Sequence, residues 1–143
     1  MKAFLEWLDE WCLGIPEIDQ QHMAMAELLN LIVRSMEQGS PPSHPGKETM
    51  PLLVRLLEKT RQHFKDEEAI MREYDYPELT DHHHDHVLLL AELQAFIREL
   101  EEGQRVISVE SLISLKHWLI NHVVESDLAF ARYLRDEIDL SED

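Results

Sequence analysis

The stretch HFKDEEAIM, residues 63–71, decides how this chain is read. Upstream of it, apolar side chains recur at helical spacing: Leu53, Leu56, Leu57, then Thr60. Residues three and four apart share one face of an α-helix, so this stripe should face a core. Its next positions are His63 and Glu67, followed by Ile70 and Met71. The stripe thus puts an imidazole and a carboxylate, one turn apart, where core leucines belong. Left buried and unpaired, each such group costs roughly 1–3 kcal/mol or more, against a total stability of about 5–15 kcal/mol.

The surrounding sequence reads the same way, as helix. With 143 residues, 44% apolar composition and four glycines, the chain is expected to form one domain over 1–143 with a sizeable core. The alternation that marks half-buried strands is nearly absent, which favours an all-α fold. An irregular N-terminal arm, 1–17, carries Trp7, Trp11 and a Gly14-Ile15-Pro16 break. Helices are expected at about 18–38, 48–74, 78–101 and 109–137. Asp19 is a candidate N-cap and Gly39 a candidate stop for the first, and GSPPSHPG (39–46) is a loop by composition. Tyr76-Pro77 separates the second helix from the third, Gly103 stops the third, and Ser108 can cap the fourth. Short connections make sequential helices antiparallel, giving an up-down-up-down four-helix bundle.

Composition narrows the partners. A formal net charge of −16 repels nucleic acid and anionic lipid. The single Cys12 forms no intramolecular disulfide and excludes a thiolate-rich metal site. No apolar run is long enough to span a bilayer, and the acids in MKAFLEWLDEW do not suit a signal peptide, so a cytoplasmic location is expected.

Nine histidines is a high count, and several lie on inward seams. The first helix offers Ile18, His22, Met25, Leu29 and Ile32. The second offers Leu56, Thr60, His63, Glu67 and Ile70, and the third His82, His86, Leu89, Leu93 and Phe96. The fourth offers Leu115, Trp118, Leu119, His122 and Ala129. His63 and Glu67, like His82 and His86, are one turn apart on one face. The polar groups fall at the start, end, start and end of successive helices, which an antiparallel bundle brings to one level. A lone core histidine is usually hydrogen-bonded and inert, but five at one level with a carboxylate point to a bound cation. Imidazole and carboxylate together suit iron, zinc, copper or manganese. Asp127 breaks the spacing: five residues beyond His122 is about 140° off in a regular helix. A long reach or a π-bulge would bring it back to the seam.

GIPEIDQQH (14–22), HFKDEEAIM with YPELTDHHHDH (63–86), and WLINHVVESD (118–127) together resemble the hemerythrins, particularly the single-domain bacterial ones. The resemblance covers nearly the whole chain and fills all seven positions of the family's ligand pattern. It implies a non-haem di-iron centre with an oxo or hydroxo bridge. One iron would be held by His82, His86 and His122 and the other by His22 and His63, with Glu67 and Asp127 spanning both. The family register leaves His83, His84 and His117 facing away from the centre and His44 in the loop. The count of bonds leaves one position open, on the His22/His63 iron, where the family binds O₂ reversibly. Phe64, Trp118 and Leu119 match family positions that wall a dry O₂ pocket. Met25 stands where leucine or isoleucine is commoner.

The resemblance therefore implies an O₂-binding protein for storage, delivery or carriage inside a cell, not an enzyme. A di-iron enzyme acting on peroxide or NO is the first alternative. Ferritin-like oxidases, however, use more carboxylates and Glu-x-x-His pairs, which are lacking here at core positions. A sensor acting through a partner is the second alternative, and the sequence identifies no surface for one.

Overall fold

The structure, a computed structural model, describes residues 4–37, 47–104 and 106–141. A short 3-10 turn, Asp9–Trp11, interrupts the N-terminal arm. Helix α1 spans Pro16–Glu37, α2 Thr49–Glu73 and α3 Leu79–Glu101. The last rod is α4, Val109–His122, a π-helical turn, Val123–Asp127, and α5, Leu128–Ser141. Helix α1 packs on α2, α2 on α3, and α1 on α4, closing the four rods into the expected antiparallel bundle. Among the described residues no helix is long and apolar enough to cross a membrane. The expected Gly39 stop and the loop 39–46 with His44 lie outside the described residues.

Local chemistry explains the ends. Ser108 caps α4 by accepting the Ser111 N–H at 3.2 Å. Gly103, with φ +74°, closes α3 in a Schellman turn: the Gln104 N–H reaches the Glu99 carbonyl at 2.8 Å and the Gly103 N–H the Leu100 carbonyl at 3.2 Å. Asp75 plays the same part after α2 with φ +53°, its neighbour Tyr76 donating to the Met71 carbonyl at 2.9 Å.

Two expectations are corrected. Asp19 is not an N-cap, because α1 begins at Pro16, whose ring is already set for the first helical position. The Asp19 carboxylate instead accepts the Leu13 and Gly14 N–H groups at 2.7 and 3.1 Å and ties the arm to the helix. Ala129 is exposed, and the seam runs through Phe130, because the π turn takes up one extra residue.

The main apolar cluster fills one half of the bundle, with Leu29, Ile32, Leu53, Leu56, Leu93 and Leu112 at its centre. Smaller clusters close the far end: Met71, Tyr76, Phe130 and Leu134 in one, Leu13, Ile18 and Ala131 in the other. Between them lies a polar layer.

Candidate metal centre

All seven side chains singled out by sequence meet in that layer. His22, Glu67 and Asp127 have no solvent exposure, and His63, His82, His86 and His122 are buried as well. They form two overlapping groups. One contains His82, His86, His122, Glu67 and Asp127, and the other His22, His63, Glu67 and Asp127. Within each group one donor atom per residue lies within 4.8 Å of every other.

The two carboxylates belong to both groups because each divides its oxygens between them. Glu67 turns Oε1 toward His82 Nε2 at 2.7 Å and His86 Nε2 at 3.3 Å, and Oε2 toward His63 Nε2 at 3.5 Å. Asp127 turns Oδ1 toward His82 and His122 at 3.0 and 3.2 Å, and Oδ2 toward His22 at 3.1 Å. The π turn explains how Asp127 gets there. It carries about 4.4 residues per turn rather than 3.6, so five residues bring the chain back to the face of His122.

Hydrogen bonding alone does not account for this arrangement. His22 and His63 point Nε2 at Nε2 at 3.0 Å, and His86 and His122 do the same at 3.1 Å. Glu67 Oε2 and both Asp127 oxygens are buried with no properly directed donor. An orphaned buried carboxylate oxygen is costly, and converging imidazole lone pairs attract nothing but a proton or a cation. Five imidazoles and two shared carboxylates fit a non-haem metal centre of borderline cations.

The titration of these groups reflects the crowding. Burial, with the neighbouring His22 and His86, pushes His63 down to about 4 despite the pull of Glu67. Burial opposes a proton on His82 too, but Asp127 and Glu67 outweigh it and lift His82 to about 9. His122 moves up for the same reason, chiefly through Asp127. Burial would raise Asp127, yet His122, His22 and His82 hold its carboxyl well below the usual range.

A small apolar cavity of about 10 Å³ abuts the layer. Met25, Phe64, Trp118 and Leu119 line it, joined by Leu89, His63 and His122. The Phe64 ring stacks on His86 with centroids 3.7 Å apart and planes 4° from parallel, which fixes that imidazole.

Sequence reasoning missed the residues behind the histidines. Gln21 Oε1 lies 2.7 Å from His63 Nδ1, and Gln21 in turn donates to Asp66 at 2.8 Å. Glu68 Oε2 lies 2.7 Å from His86 Nδ1. His83, His84 and His117 are exposed, but His83 is not idle: its Nδ1 is 2.6 Å from Glu68 Oε1. The available signal was adjacency, since Gln21 precedes His22 and Glu68 follows Glu67. A solvated helix face would give the same pattern.

Comparison with known proteins agrees with the bundle and its polar layer. The model of the hemerythrin HHE cation binding domain matches residues 13–134, and the chain belongs to the hemerythrin family. It is similar to the bacteriohemerythrin of Stenotrophomonas maltophilia, 29% identical over 90% of this chain and 80% of that one. It is also similar to that of Clostridium acetobutylicum, 28% identical over 85% and 94%. A wild-type hemerythrin crystal structure shares the fold with a TM-score of 0.81 at 20% identity, covering 91% of this chain and 97% of that one.

Proposed function

We propose that this chain, as a single hemerythrin-like domain over 1–143, binds O₂ reversibly at a non-haem di-iron centre and serves oxygen storage or delivery in the cell. The observation that carries the reading is the division of the Glu67 and Asp127 oxygens between two histidine groups beside a small apolar cavity. In this reading His82, His86 and His122 would hold one iron and His22 and His63 the other, with Glu67 and Asp127 available to both. Two irons held there would supply the electrons for reversible uptake of O₂.

The chain's own part is to position and to keep dry. His22 and His63 leave the two-imidazole iron with fewer protein ligands than its neighbour. Both His63 and His122 border the cavity, so a diatomic guest there would lie beside the centre. Met25, Phe64, Leu89, Trp118 and Leu119 exclude water and protons, which would otherwise expel reduced oxygen. A cavity of about 10 Å³ is near the minimum for one small molecule.

The test is metal analysis with optical spectra of the iron-loaded, anaerobically reduced protein before air, after air and after argon purging. Two irons per chain and a visible band that comes with air and leaves with argon are expected. One metal per chain, or a band that argon does not remove, would refute reversible binding at a di-iron site.

A further inference from the structure

All five histidines aim Nε2 into the centre, but the nitrogens on their outer sides meet different chemistry. His86 Nδ1 faces a carboxylate oxygen of Glu68 at 2.7 Å. His63 Nδ1 faces the neutral carboxamide oxygen of Gln21 at the same distance. His22 Nδ1 is buried with no partner. We propose that Glu68 is a positioning residue that makes the centre electronically lopsided, favouring ferric over ferrous iron on the His82/His86/His122 side. The inference rests on the di-iron reading above.

An imidazole bound to a cation through Nε2 carries its proton on Nδ1 and donates it outward. A carboxylate acceptor draws that proton strongly, leaves the ring richer in electrons and raises its basicity toward the metal. The higher charge of a ferric ion gains more from this than a ferrous ion does. A carboxamide oxygen carries no net charge and has the weaker effect. The geometry secures the difference. The Glu68 side chain is 13% exposed, so water screens it little. Its other oxygen is held by His83 at 2.6 Å. Phe64, stacked on His86, keeps the ring plane aimed at Glu68. On the other side Gln21 is fixed by Asp66, which is itself held by Gln62 at 2.8 Å.

The decisive variant is Glu68→Gln, which keeps the shape and the accepting oxygen but removes the charge. Iron content and a mediated redox titration are measured on wild type and variant. Two irons are expected in both, with the ferric preference of the variant reduced at least about tenfold, an upward shift of about 59 mV for a one-electron step. The reverse variant is Gln21→Glu with Asp66→Asn, in which the introduced amide can donate back to the introduced carboxylate. It should shift the potential downward. A Glu68→Gln protein with both irons and an unmoved potential overturns the proposal. If that variant does not fold, an unmoved potential in the reverse variant overturns it equally. Should the wild type take up no iron, the di-iron reading fails separately. Co²⁺ affinity of the metal-free chains then decides the role of Glu68: a loss of about 10–100-fold in Glu68→Gln supports it, and equal affinities refute it.

Discussion

The two halves of the bundle core are built on opposite terms. In one half, Leu29, Ile32, Leu53, Leu56, Leu93 and Leu112 are at most 1% exposed, and the buried Ser35 and Thr49 hydroxyls satisfy each other at 2.6 Å. That half is held by apolar contact among its own side chains. In the other half, five imidazoles and two carboxylates share a layer where three carboxylate oxygens have no directed donor. That layer balances only around a cation. The contrast teaches that apolar packing and the polar layer occupy different levels of one bundle, so each can be probed by its own substitution.

The largest expected effect is metal removal. A ligand present at a thousand times its Kd stabilises the native state by roughly 4 kcal/mol. Thermal melts of iron-loaded and metal-free protein should differ accordingly. Amide exchange should accelerate most around His63, His82 and Asp127 and less around Leu53. Uniform acceleration along the bundle would break the division into two halves.

Next comes Leu53→Ala, which opens a cavity in the apolar half and should cost about 2–5 kcal/mol. The cost should be equal with and without metal, as measured by denaturant unfolding. A cost that depends on metal would couple the halves.

A smaller effect is expected from pH, on the metal-free protein. His63 at about 4 lies below its unfolded value near 6.5, so its contribution is present above 6.5 and is lost as pH falls toward 4. His82 at about 9 lies above it, so its contribution is present below 6.5 and is lost as pH rises through 9. Metal must displace the His82 proton. Co²⁺ affinity should therefore rise about tenfold from pH 7 to 8, about 1.4 kcal/mol, and level off as pH passes 9, as read by competition titration. A flat profile would mean that no proton is displaced.

The smallest effect is Met25→Leu. The change is nearly volume-conserving and should alter stability by less than about 1.5 kcal/mol. A stiffer cavity wall should slow decay of the oxygenated spectrum in air-saturated buffer, with iron content unchanged. Unchanged or faster decay would leave water exclusion to Phe64, Leu89, Trp118 and Leu119.

The rods were legible because periodicity, Gly103 and Ser108 act locally, and each helix end fell within a few residues of expectation. The seven polar seam residues were legible because each interrupts an apolar stripe. Asp19 misled because a short acid near a helix start can serve either the helix or the arm, and only the fold shows which N–H groups are orphaned there. Gln21 and Glu68 were hidden for a related reason. They sit just off the seam, where a residue that orients a histidine and one that faces water leave the same pattern. Register alone turns His83 away from the centre, and its bond to Glu68 depends on a helix pairing that no single-helix periodicity contains.

The fourth rod carries its stripe as a wave that skips a beat. Its buried positions run Leu112, Leu115, Leu119, His122 and Val123, then Asp127, Phe130, Ala131 and Leu134. In number the second set arrives one residue late. In space the stripe is continuous, because the π turn swallows the extra residue within a single revolution. A comparison that counts residues along this rod therefore drifts out of phase after His122, whereas one that follows the buried face stays in step to the end.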